Sequence, residues 1–86
     1  MNRPERNLSA IVTALQVRGL LHIWDAVLVT HHVTPEELAN SQLGHVSRAR
    51  ADLCARLRAL NFSYPAIGIM LQMNHTSVIT AVHRAT

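Results

Sequence analysis

The sequence predicts a small all-α domain of five to six short helices. Three observations predict it. Hydrophobic residues make up 49% of the 86 positions, yet Trp24, Phe62 and Tyr64 are the whole aromatic supply, so a core must be built from Leu, Ile, Val and Ala. That composition suits short helices better than a β-sandwich. Apolar residues recur at i, i+3, i+4 and i+7 in several windows, the period of an amphipathic helix. Capping and breaking residues divide those windows into short segments, and the length supports one modest core rather than two.

Each element follows in order. Residues 1–6 are polar and expected to fray. From Asn7 to Val17, Leu8, Ile11, Val12 and Leu15 form an apolar stripe, and Gly19 is placed to end the helix. A second helix over about 20–31 gathers Leu20, Ile23, Trp24, Val27 and Leu28 on one broad face, leaving His22 and Asp25 outside and His31-His32 at its exit. Thr34-Pro35-Glu36-Glu37 is a start signal: a Thr cap, Pro at the first helical position and Glu three residues after the cap. That third helix is short and ends near Asn40 to Gly44. The fourth and longest, about Val46 to Leu60, carries Val46, Ala49, Leu53, Leu57 and Leu60 as its core stripe, with Asn61 a left-handed cap.

The most informative stretch is Asn61 to Arg84, NFSYPAIGIMLQMNHTSVITAVHR. Ser63 caps a helix whose opening turn tolerates Pro65 and whose stripe is Ile67, Met70 and Leu71. Asn74 caps a second, with Val78, Ala81 or Val82, and Ala85 facing inward. Residues 63–85 thus have the layout of a helix-turn-helix, whose second helix enters the DNA major groove. Gly68 stands mid-helix, where it costs about 1 kcal/mol relative to Ala; a close helix–helix crossing with no room for a Cβ would explain it.

Charge points the same way. The net charge is +3, but residues 1–43 set Arg3, Arg6 and Arg18 against Glu5, Asp25, Glu36 and Glu37, a balance of −1. Residues 44–86 set Arg48, Arg50, Arg56, Arg58 and Arg84 against Asp52 alone, a balance of +4. Positive charge therefore collects in the half holding the helix-turn-helix pattern, an arrangement that phosphate backbones reward through counterion release. A helix dipole favours acids in the first turns, so Arg48 and Arg50 there suit something outside the fold, with phosphate the obvious candidate.

Other chemistries are poorly supplied. Cys54 is the single cysteine, mid-helix between Leu53 and Leu57, which reads as a small buried side chain in a reducing, cytoplasmic setting. No signal-peptide pattern precedes Arg18. Residues 59–83 carry no formal charge, but Asn61, Ser63, Gln72, Asn74 and His75 would need partners inside lipid, so no membrane association is expected. The six histidines show no metal-ligand spacing, the five acids make no catalytic pair, and no G-x-x-x-x-G-K-[ST] is present. Neither a metal, a cofactor, a nucleotide nor an enzymatic activity is expected.

From about Trp24 to Arg84 the chain resembles the C-terminal DNA-binding domain of the bacterial replication initiator DnaA. The resemblance is densest in Arg48-Ala-Arg to Arg58, in Ser63-Tyr-Pro-Ala-Ile-Gly, and in His75-Thr-Ser-Val-Ile-Thr-Ala-Val-His-Arg. In that family the matching segments run close to A-R-x-R, S-L-P-E-I-G and D-H-[ST]-[ST]-V-x-x-A. It implies a Trp-repressor-like fold over about 34–86 and a site for double-stranded DNA. His75, Thr76 and Ser77 match positions that touch bases and phosphates in the major groove, and Arg48 matches an arginine of the adjacent minor groove. Arg50 lies where the family places a neighbouring basic residue. Ser63, Asn74, Thr80 and Arg84 complete the candidate contacts. Asn74 replaces the family's Asp, the turn is one residue shorter, and Ser41-Gln42-Leu43-Gly44-His45 dilutes its basic loop. A stand-alone transcription or replication regulator is the expectation, with a protein–protein adaptor using the apolar N-terminal helices as the alternative. The stripe at Leu8, Ile11, Val12 and Leu15 looks surplus to a domain beginning near Trp24, which predicts a homodimer through residues 8–31.

Overall fold

Local capping chemistry sets the helix boundaries. In the computed structural model, which describes residues 5–85, six helices follow one another: α1 (Leu8–Val17), α2 (Leu21–His31), α3 (Pro35–Asn40), α4 (Gly44–Ala59), α5 (Tyr64–Leu71) and α6 (His75–Ala85). No strand occurs among the described residues. Asn7 opens α1 by accepting the Ala10 N–H at 3.0 Å. Thr34 and Glu37 form the reciprocal box at the start of α3, at 3.1 and 2.9 Å, and Ser63 accepts from Ala66 at 3.2 Å to open α5. Caps of this kind contribute about 1 kcal/mol each. Helix exits use left-handed residues: Gly19, His32, Asn61 and Gln72 all have φ between +54° and +71°.

Sidedness then builds a single core. The long α4 packs against α2, α3, α5 and α6. Val46, Leu53, Cys54 and Leu57 on α4 join Val27 on α2, Leu38 on α3, Ile67 and Met70 on α5, and Val78 on α6, all essentially excluded from water. No helix among the described residues is long and apolar enough to cross a membrane.

Three sequence expectations are corrected here. Leu60 is 51% exposed, because it is the cap residue beyond the last turn of α4 and the inward stripe ends at Leu57. Ala85 is likewise exposed, so the stripe of α6 ends at Val82. Arg6 does not fray. Its N–H donates to Asn40 Oδ1 at 2.7 Å, while its guanidinium donates to the Ala39 carbonyl at 2.9 Å and the Gln72 carbonyl at 3.1 Å. Residues 1–4 lie outside the described residues.

The fourth correction concerns α1. Ile11 and Leu15 are 1% and 0% exposed, and Leu8 and Val12 pack on the same core, which docks α1 against α2, α3 and α5. Burying side chains of that size is worth about 1.5–3 kcal/mol each, comparable in sum with the net stability of a small domain. The fold is therefore not closed without α1. The surplus apolar face from which a homodimer or a docked adaptor partner was expected is taken up inside the chain. Large hydrophobics still exposed between residues 8 and 31 are Val17 and Val29.

Candidate functional site

The α5–α6 pair is built from the turn between them. Gln72 takes the left-handed conformation that ends α5, and the Met73 N–H donates to the Gly68 carbonyl at 2.8 Å. Asn74 Oδ1 then accepts the Thr76 N–H at 2.9 Å, and the Asn74 carbonyl accepts from Val78 at 3.1 Å, starting α6. Gly68 is required, but not by a helix crossing as expected. A Cβ built there would stand 2.5 Å from the Met73 carbonyl oxygen, so the neighbour is the backbone of the turn itself. The N-terminal segment braces this turn from outside: Arg6 holds the Gln72 carbonyl, and the Asn7 N–H donates to Gln72 Oε1 at 2.8 Å.

Val78 and Val82 anchor α6 to the core, which turns His75, Thr76, Ser77, Thr80, His83 and Arg84 outward. Between α6 and the N-terminal half of α4 lies an open cleft of about 280 Å³. Three guanidiniums (Arg6, Arg50, Arg84) and four hydroxyls (Ser47, Thr76, Ser77, Thr80) line it. A neighbouring hollow is bounded by Gly44, Ser47, Arg48 and Arg84. Among the described residues no carboxylate lines either one. Such a surface offers hydrogen-bond donors and positive charge, the complement of phosphate oxygens.

The structure divides the expected site residues. Thr76, Ser77, Thr80, Arg50 and Arg84 meet at the cleft, and Arg48 stands beside them on the exposed face of α4. Asn74 and His75 lie on the other side of α6's start, in a hollow with Pro65, Ile69 and Gln72. Ser63 borders none of these surfaces; its hydroxyl caps α5. The Thr80 hydroxyl donates back to the Thr76 carbonyl at 3.1 Å, leaving it chiefly an acceptor toward a ligand.

Arginines differ most in what holds them. Arg50 is half-buried and donates from Nε to the Leu38 carbonyl at 3.0 Å and from Nη2 to the Ser41 carbonyl at 2.8 Å, closing the C-terminal end of α3. Burial, and secondarily the charge of Arg6, lowers its pKa from the ordinary arginine value. Its first role is thus structural, a correction to its reading as a plain surface contact. Arg56 pairs with Asp52 at 3.0 Å, and Asp52 also meets His31 at 2.9 Å, tying α2 to α4. Arg58 donates to the Phe62 carbonyl at 3.0 Å and lies over the Tyr64 ring at 4.6 Å. Arg48 and Arg84 have no hydrogen-bond or ion-pair partner among the described residues.

Sequence reasoning missed Arg6 and Ser47. Ser47 carries a faint signal, since it lies four residues before Ala51 and so shares its face of α4. Arg6 carries none, because a polar residue ahead of an apolar stripe reads as a tail. Cys54, as expected, is buried, and burial pushes its thiol up to about 11. Among the described residues no group of three or more His, Cys, Asp or Glu side chains is placed to hold a metal ion. No protein-family model, curated protein or solved structure matches the chain.

Proposed function

We propose that this chain is a sequence-specific double-stranded DNA-binding protein, with α5 and α6 as a helix-turn-helix and α6 as the helix that enters the major groove. The observation that carries the reading is the placement of Arg48 and Arg84. Neither has a partner among the described residues, and both flank the hydroxyl-rich cleft between α6 and α4, to which no described residue brings a carboxylate. A cation held by nothing in the fold is free to displace counterions from a phosphate backbone. The major groove, about 12 Å wide, admits a single helix, and α6 turns His75, Thr76 and Ser77 outward at its leading end. These residues open one of the three stretches in which the likeness to the initiator's DNA-binding domain is densest. On this reading the protein acts in the cytoplasm as a small initiator-type regulator of transcription or replication.

Binding-site selection on random duplex, followed by fluorescence anisotropy across a salt series, tests the proposal. Saturable binding is expected, with log K falling against log salt at a slope of about −2 to −3, as two or three phosphate contacts require. His75→Ala or Thr76→Ala should each cost roughly 1–3 kcal/mol of specific binding while sparing non-specific affinity. Duplex binding no stronger than background at low salt would sink the proposal, and full discrimination in both variants would remove α6 from the groove.

A further inference from the structure

We propose that the cleft between α4 and α6 is a seat for a single phosphate group, held from its floor by Arg50 and from its rim by Arg84, with the Ser47 and Thr76 hydroxyls as further donors. The floor carries the argument. Arg50 has five N–H donors; Nε and both Nη2 hydrogens are directed to the Leu38, Glu37 and Ser41 carbonyls. Its two Nη1 hydrogens meet no acceptor among the described residues. No buried side-chain nitrogen among the described residues lacks a partner, so this edge of the guanidinium reaches solvent. Of the two cavities that Arg50 lines, one beside Trp24 holds about 10 Å³ and the cleft about 280 Å³, so the cleft has the room for an anion. Arg6 enters the same cleft while donating to the Ala39 carbonyl, placing a second cation beside the first.

The acceptors of Arg50 are all neutral carbonyls, and no described residue brings a carboxylate to the cleft. Arg6 and Arg50 are like charges brought together at the cleft, and an anion between the helices lowers their mutual repulsion. The free donor edge selects an oxyanion, and the hydroxyls of Ser47 and Thr76, which have no partner among the described residues, suit one with several oxygens. A carboxylate offers two oxygens; a phosphate offers more, to match donors arriving from both helices. The phosphate could belong to a duplex backbone or to a free phosphate monoester, and the seat stands for either source.

Nitrogen–proton NMR of the full chain, titrated with sodium phosphate against sodium chloride at matched ionic strength, tests the seat without DNA. Saturable shifts are expected at Ser47, Thr76 and the Arg84 side-chain Nε. Arg84→Gln, at an exposed position with no partner among the described residues, should weaken phosphate binding roughly tenfold. Arg18→Gln, which removes the same charge outside the cleft, should change it less than about twofold. Equal shifts with chloride, shifts centred elsewhere, or equal losses in the two variants would overturn the proposal. A repeat with bound duplex separates the sources. Displacement of phosphate assigns the seat to the DNA backbone; undiminished phosphate binding, or phosphate binding by a chain that binds no duplex, assigns it to a free monoester. Duplex binding without any phosphate response would leave the DNA reading standing and remove the seat.

Discussion

Gly68→Ala is the sharpest perturbation of the turn that sets α6. In an ordinary helix interior this change stabilises by about 1 kcal/mol, because Ala is the better helix former. Here the new Cβ would lie 2.5 Å from the Met73 carbonyl oxygen and 3.6 Å from the His75 nitrogen. Contacts under 3.0 Å are essentially never made by real Cβ atoms, so the oxygen must retreat by at least about half an ångström. Met73 cannot retreat freely, since its own N–H is bonded to the Gly68 carbonyl at 2.8 Å and the next residue, Asn74, caps α6. Overpacking against backbone belongs near the upper end of the 1–3 kcal/mol range. Subtracting the propensity gain leaves a net loss of about 1–2 kcal/mol, a fall in Tm of roughly 5–15 °C for a domain of this size.

Gly44→Ala is the internal control. Gly44 is the first residue of α4, and nothing lies within 4 Å of its added Cβ. That variant should be neutral or gain up to about 1 kcal/mol by restricting the unfolded chain. Thermal and urea melts of both, with anisotropy on the selected duplex, decide the matter. Gly68→Ala should also lose duplex affinity, because a displaced Met73–Asn74 backbone tilts the start of α6. A Gly68→Ala protein as stable as the Gly44→Ala protein would refute the reasoning about the turn.

Asp52→Asn should lower stability at pH 7 by about 0.5–1 kcal/mol. Although burial opposes it, hydrogen bonding from Arg56 and His31 leaves the Asp52 pKa below its ordinary value, so the contribution is present above that value and is lost as pH falls through the lowered one; melts of both proteins should converge in strong acid. The Cys54 thiol, neutral until about pH 11, should resist alkylation at pH 8 in the native state and react at once in denaturant. Arg48→Ala should weaken duplex binding most on A·T-rich flanks, where a narrow minor groove concentrates negative potential, as measured by anisotropy on paired A·T- and G·C-flanked sites; equal losses would make Arg48 a phosphate contact only.

Most of the fold was legible because its signals are local. The Thr34–Glu37 box, the Ser63 and Asn74 caps, and the stop at Gly19 each act within four residues, and each stands where the sequence placed it. What failed was non-local. A stripe such as Leu8, Ile11, Val12 and Leu15 states that a face is buried but not against what, and the sequence holds no term for the groove between α2, α3 and α5 that receives it. Gly68 is an intermediate case. Its lack of a side chain announced a close approach, but whether the approaching group is another helix or the turn five residues on is a question of chain path.

The site was less legible than the fold, and the arginines show why. A count of charge treats Arg48, Arg50, Arg56, Arg58 and Arg84 as equal contributors to a +4 surface. In the folded chain three of them are already committed: Arg50 to the carbonyls that end α3, Arg56 to Asp52, Arg58 to Phe62 and Tyr64. What a ligand meets is the charge the fold leaves over, and that depends on acceptors lying 4 to 13 residues away in sequence. The uncommitted pair, Arg48 and Arg84, lies 36 residues apart in sequence and borders one hollow only because α4 and α6 pack together. Total charge therefore pointed to the half of the chain that supplies most of the cleft's lining. Which arginine donors are spent within the fold and which are left over, as the Nη1 edge of Arg50 is, exists only in the packed molecule.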